Sequence, residues 1–326
     1  MTSFKVQQGE LPTSVLNFNT VITVSFNSST KNAQRNKFLN SEAMNGCQNG
    51  NCHETKSSDD HCVRGKIFQT AQQIYVHTGN LTNWSRSNSK VVKSTTEEIC
   101  ERLVSTVNSC TTDNDKKYKE RECVRFANAS LVEKVKREER DTLRVSVKLF
   151  INEEKPHNIQ EAIFRDLTEL GVDFIDVVVL SIPPFLNADT QFSVIKPMWK
   201  ELEKLVEQSY VGDIAVCDFS MVALKQLCEF AKIKPSYDQV NLASCCVMPQ
   251  DLVVYAKETG INLLTHADPK DILPSEKLLQ TINKAYEYPE EVRGWRYSWV
   301  TCYSVIIKCR AVLQNKGYIV NLVREV

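Results

Sequence analysis

The chain has 326 residues, with 40 Lys+Arg against 40 Asp+Glu and a formal net charge of zero. That balance argues against nucleic acid or an anionic membrane as partner. No apolar run approaches the roughly 20 residues needed to span a bilayer, and the first residues, MTSFKVQQGELPTSV, lack the apolar core of a secretory signal. A cytoplasmic protein is expected, and its 12 cysteines are expected to be reduced thiols.

Residues 1–70 are expected to form a polar, largely disordered extension, broken only by an apolar patch at 15–26. Within it, CQNGNCHETKSSDDHC places Cys47, Cys52, His53, His61 and Cys62 close together. These are zinc-ligand types, but the run lacks a C-x-x-C pair and has almost no apolar residues to pack around a metal. A flexible tail is the expectation, and no metal site is assigned.

Residues 71–326 are expected to form one domain. A strand at 74–77 is followed by a turn at Gly79-Asn80 and a helix over 95–107, with Thr96 near its start. Residues 108–125 are very polar, and a charged helical stretch is expected over 129–139. The regular pattern begins with LRVSVKLFI at 143–151, where Val145, Val147 and Leu149 alternate with Arg144, Ser146 and Lys148. A helix over 159–170 has Asn158 as its cap and Gly171 as its stop. The β-branched run at 174–181 suits a parallel strand covered on both faces. A loop to 196 precedes a helix over 197–208, with Pro197 in its first turn. A strand at 211–219 leads to a helix over 221–231 capped by Ser220.

The stretch YDQVNLASCCVMPQDLVVYAKETGINLLTHADPK supplies a strand at 239–243, a loop with Cys245 and Cys246, a helix over 250–259 stopped by Gly260, and a strand at 261–265 ending on His266. A helix over 277–286 and two strands within 304–325, turning at 314–317, complete the chain. Strands and helices thus alternate at roughly 30-residue intervals, the rhythm of a parallel α/β protein. No G-x-G-x-x-G follows the first strand, so the expected fold is α/β, a (β/α)8 TIM-barrel-like domain rather than an open dinucleotide-binding sheet.

The order SVKLF, DFIDVVVLSIPP, MWKELEKLVEQSYVGDIAVCDF and KPSYDQVNLASCCVMPQDLVVYAKETGINLLTHADP resembles the middle of an aldo-keto reductase barrel. VHTGNLTNWSR, QVNLASCCVMPQDL, LLTHADPK and YSVIIKCRAVLQNKGYI are similar to the glutamate–cysteine ligase regulatory (modifier) subunits. The resemblance runs over about 74–323 and is poor between 86 and 140. It implies a non-catalytic partner that forms a heterodimer with the ligase's catalytic subunit in the first step of glutathione synthesis. The effect implied is a higher affinity for glutamate and relaxed feedback inhibition by glutathione. The alternative is an active NADPH-dependent aldo-keto (carbonyl) reductase.

Reductase chemistry needs a tyrosine acid, a lysine–aspartate pair and a histidine beside a nicotinamide cofactor. Lys148 matches the lysine, as an active residue or as a relic in a structural ion pair. Ser181 stands where the histidine is expected. Asp113 and Tyr118 have the right order for the acid and its partner, but they lie in a solvated charge run. Gln239 matches the glutamine that contacts the nicotinamide amide, and Cys217-Asp218 replace a Ser-Asn pair. The resemblance therefore implies no required cofactor and leaves room for vestigial NADPH binding at Gln239, Cys217 and Asp218. Cys245 and Cys246 are either small buried hydrophobes or a redox-responsive contact with the partner. His266 is expected to be a satisfied strand-end histidine, bonding the turn with Asp268.

Overall fold

The structure, a computed structural model, describes residues 67–68, 70–84, 94–110, 122–182, 192–241, 247–286 and 294–324. In chain order the elements are β1 (Gln73–His77), α1 (Leu81–Trp84), α2 (Thr95–Ser109), β2 (Cys123–Ala127), a 3-10 turn (Arg137–Thr142), β3 (Leu143–Ile151), α3 (His157–Leu170), β4 (Ile175–Ser181) and α4 (Phe192–Glu207). They continue with β5 (Val211–Cys217), α5 (Met221–Phe230), β6 (Tyr237–Asn241), α6 (Gln250–Thr259), β7 (Asn262–His266), α7 (Ser275–Tyr286), β8 (Trp295–Ile307) and β9 (Val312–Arg324).

All strands join one nine-stranded sheet in the order β2-β1-β9-β8-β3-β4-β5-β6-β7. From β3 to β7 each strand lies parallel to the next, which is the expected βα repeat. Elsewhere the topology departs from a uniform eightfold alternation. β8 and β9 form an antiparallel hairpin that inserts between β1 and β3.

Alternation along the strands sends apolar side chains to both faces. On one face, Val145, Val147, Leu149 and Ile151 of β3 pack with α3, α4 and α5 through Ile163, Trp199, Leu202 and Leu224. On the other, Ile74, Val76, Val320 and Leu322 are covered by Ile99 and Leu103 of α2 and Leu278 and Ile282 of α7. A small third cluster, Val177, Val179, Ala215 and Cys217, lies on β4 and β5.

Several stops and caps fall where expected. Gly171 (φ 67°) and Gly260 (φ 73°) end α3 and α6 in the left-handed conformation that glycine adopts without penalty. Ser220 Oγ accepts the Ala223 N–H at 3.1 Å at the start of α5.

Other boundaries differ, each for a physical reason. Ser94, not Thr96, caps α2 through the Glu97 N–H. Asn158 is not a cap but lies inside α3, where its Nδ2 donates to Glu153 Oε2 and Ser298 Oγ. α4 begins at Phe192 and holds Pro197 inside it, because buried Ile195 extends the stripe of Met198, Trp199 and Leu202 upstream. The expected helix at 129–139 does not form, since its charges leave no face to bury. β2 instead emerges from the polar stretch on two inward residues, Val124 and Phe126. The C-terminal turn lies at 308–311, with Ala311 at φ 50°, rather than at 314–317. Among the described residues, no helix is long and apolar enough to cross a membrane.

Candidate functional site

Parallel register decides which side chains meet. Lys148 lies beside Val179 of β4, Ser181 beside Cys217 of β5, Cys217 beside Gln239 of β6, and Asn241 beside His266 of β7. Lys148 projects from the face of β3 opposite Val147 and Leu149, as alternation requires. There Lys148 Nζ donates to Asp268 Oδ2 at 2.8 Å. His266 Nε2 lies 3.1 Å from Asp218 Oδ1 and 3.2 Å from Cys217 Sγ. His266 Nδ1 lies 3.4 Å from Asp268 Oδ2 and 3.2 Å from the Asp268 backbone N–H.

Three elements fix these groups. Asn241 donates its backbone N–H to Asp218 Oδ1 at 2.8 Å and its Nδ2 to the Asp268 carbonyl at 2.7 Å. Thr95, at the start of α2, donates to Asp268 Oδ1 at 3.3 Å. Asp218 itself sits at φ 59°, a left-handed conformation that a non-glycine residue holds at a cost. Its N–H donates to the Gln239 carbonyl at 2.8 Å, which helps to hold that turn.

The cluster is electrically balanced, with two carboxylates facing a lysine and a histidine. Burial lowers the His266 pKa, but its bonds to Asp218, Asp268 and Cys217 outweigh that and raise it to about 11. Burial opposes ionisation of Asp268, yet His266 and Lys148 hold its carboxyl well below the usual range. Asp218 is likewise lowered against burial, chiefly by His266. Desolvation lowers the Lys148 pKa, but its hydrogen-bonded ion pair with Asp268 contributes to a net rise. The lysine is therefore held charged in a closed ion pair, an arrangement shared by the active and the relic readings of this residue.

The remaining residues singled out in the sequence are distributed as follows. Ser181 is buried at the end of β4. Gln239 Oε1 is buried with no hydrogen-bond partner. Cys245 and Cys246 lie outside the described residues, as do Asp113, Tyr118 and the run Cys47, Cys52, His53, His61 and Cys62. Sequence reading missed Asp268 as the partner of Lys148. The two stand 120 residues apart, and only the sheet register brings them together. It also missed a neighbouring set on the same side of the sheet, where Tyr318 Oη donates to Glu98 Oε2 at 2.7 Å and Lys316 Nζ lies 3.3 Å from that oxygen.

Whether a nicotinamide cofactor suits these residues is a question of donors and acceptors. The unpaired Gln239 Oε1 suits the N–H of a carboxamide. Asp218 does not, because it presents an anion already bonded to His266 and Asn241. Ser181 offers a short hydroxyl where the imidazole is expected. As a set, the residues do not fit cofactor-coupled proton delivery, and no reaction step is assigned to them.

Known proteins agree with this picture of a retained scaffold. The aldo/keto reductase family pattern matches residues 80–269. The glutamate–cysteine ligase regulatory subunit of Homo sapiens is 35% identical over 264 residues, 79% of this chain and 96% of the human protein. That of Mus musculus is 33% identical over 271 residues, 82% of this chain and 98% of the mouse protein. An aldo-keto reductase structure from a Medee basin deep-sea metagenome library, MGS-M4, is 29% identical over 37% of this chain and 42% of its own, with a TM-score of 0.31. With the family pattern matched over residues 80–269 and a near full-length match to the regulatory subunits, the chain belongs to the aldo/keto reductase family and, within it, to the glutamate–cysteine ligase regulatory subunits.

Proposed function

We propose that the chain is a non-catalytic, cytoplasmic regulatory subunit that binds the catalytic subunit of glutamate–cysteine ligase as a heterodimer. In that role it raises the partner's affinity for glutamate and relaxes feedback inhibition by glutathione. The observation that carries this reading is the similarity to the human protein over 96% of that protein's length. Ser181, standing where the reductase histidine is expected, supports a non-catalytic role. Regulation of this kind is allosteric, so its size is limited by the chain's differential affinity for two states of the partner.

The polar extension 1–70 lies outside the resemblance that supports this role, and the domain from 71 onward is proposed to carry it. Exposed apolar side chains suggest where to look for contact: Val247 and Val254 around α6, and Val312 and Leu313 at the start of β9. Cys245 and Cys246, just before Val247, are proposed as a redox-responsive contact with the partner. A Cys245→Ser/Cys246→Ser chain that associates equally under oxidising and reducing conditions would refute that contact alone.

The main test measures glutamate saturation and glutathione inhibition of the catalytic subunit with and without this chain. The expected result is a lower apparent KM for glutamate and weaker inhibition; no change in either overturns the proposal. The second reading, an NADPH-dependent carbonyl reductase, is favoured only by the retained Lys148 and the unpaired Gln239 Oε1. NADPH consumption with a panel of aldehydes would support it.

A further inference from the structure

We propose that Cys217, Asp218 and His266 form a zinc site with three protein ligands and one open position. The ligand atoms are Cys217 Sγ, an Asp218 carboxylate oxygen and His266 Nε2, which lie within 4.8 Å of one another. Zinc binds thiolate, imidazole and carboxylate at about 2.0–2.3 Å, and a tetrahedron of such bonds has edges of roughly 3.3–3.7 Å. The observed separations are 3.2 Å from Sγ to Nε2, 3.1 Å from Nε2 to Asp218 Oδ1, and 3.7 Å from Sγ to Asp218 Oδ2. Sγ and Nε2 thus already stand near one tetrahedral edge, and the Asp218 carboxylate reaches Nε2 through Oδ1 and Sγ through Oδ2, so a small turn of that carboxylate completes the face.

The surroundings strengthen the assignment. Metal-ligating histidines commonly donate their second ring nitrogen to a carboxylate, which fixes the ring. His266 Nδ1 lies 3.4 Å from Asp268 Oδ2 and accepts the Asp268 backbone N–H at 3.2 Å, so Asp268 holds the ring at that nitrogen, and Lys148 holds Asp268 at 2.8 Å. The left-handed turn at Asp218 brings its side chain back beside the preceding Cys217. Cys217 is buried, whereas the Asp218 side chain is 36% exposed, so the open position faces solvent on that side. A thiolate and an imidazole in the set select zinc over magnesium or calcium. The site is independent of the regulatory role, since it rests on geometry alone.

The test uses the full chain, stripped with a chelator, equilibrated with zinc and dialysed. One tightly held zinc per chain is expected. It should be lost in Cys217→Ser and in His266→Ala, and kept in Cys47→Ser/Cys52→Ser/Cys62→Ser. Asp268→Asn should weaken binding about 10- to 100-fold by freeing the histidine ring. Cobalt in place of zinc should give the thiolate charge-transfer absorption of a tetrahedral site, absent in Cys217→Ser. Should the buried cysteine variant fail to fold, zinc should still raise the Tm of the native chain, and Asp218→Ala should abolish the rise. No stoichiometric zinc, or zinc that survives Cys217→Ser and His266→Ala but leaves with the Cys47/Cys52/Cys62 variant, overturns the proposal.

Discussion

Single buried carboxylates in this protein answer to their partners in opposite directions. Burial opposes the charge on Glu153, but bonds from Ser298, Asn158 and Arg296 outweigh it and lower the pKa from 4.5 to about 2. A depressed folded pKa contributes stability that is full above the unfolded value and is lost as pH falls from 4.5 through about 2. Glu153→Gln should cost roughly 2–3 kcal/mol near neutrality and flatten that acid limb, as followed by urea unfolding across pH. Asp238 behaves in reverse. It is fully buried with Oδ2 unbonded, and burial raises its pKa from 3.8 to about 8. Its contribution is full below 3.8 and declines as pH rises through about 8. Asp238→Asn should remove that decline, gaining stability relative to the native chain as pH rises from 3.8 to about 8; an unchanged slope across that window would rule this out.

Between strands, close approach matters more than propensity. Gly317 lies in β9 opposite Tyr303 of β8, and a Cβ there would overlap both the Gly79 carbonyl oxygen and the Tyr303 hydroxyl. Gly317→Ala should therefore destabilise by about 2–4 kcal/mol, seen as a lower urea midpoint at unchanged slope. From sequence, Asn315-Lys316-Gly317 looked like a turn, because the chemistry of a glycine that bends and a glycine that admits a neighbour is the same. The elements from β3 to α6 were legible for a different reason. Parallel strands such as 175–181 are apolar runs, and the helices between them carry single buried stripes. The site was legible only residue by residue. Lys148, Cys217, Asp218 and His266 each stood out, but their meeting around Asp268 depends on strand register across 48 to 120 residues, which no local pattern encodes.

At the level of the molecule, one sheet carries both main cores. Trp199 and Trp299 belong to the core under α3 to α5, and Trp295 belongs to the core under α2 and α7. β8 holds Trp295 and Trp299 together and so ties the two cores to one strand. Fluorescence of Trp199→Phe and Trp295→Phe variants should give coincident unfolding midpoints, matching loss of far-ultraviolet dichroism; two separate transitions would contradict a shared sheet. The hairpin between β1 and β3 also sets a schedule. The Tyr318 N–H that pairs with Thr78 lies 240 residues further along the chain. At roughly 5–20 residues per second on the ribosome, β1 waits about 10–50 s for its β9 neighbour. During that interval Ile74 and Val76 have only α2 and β2 of their final core beside them, so the newborn chain depends on whatever shields a half-covered apolar strand until β9 arrives.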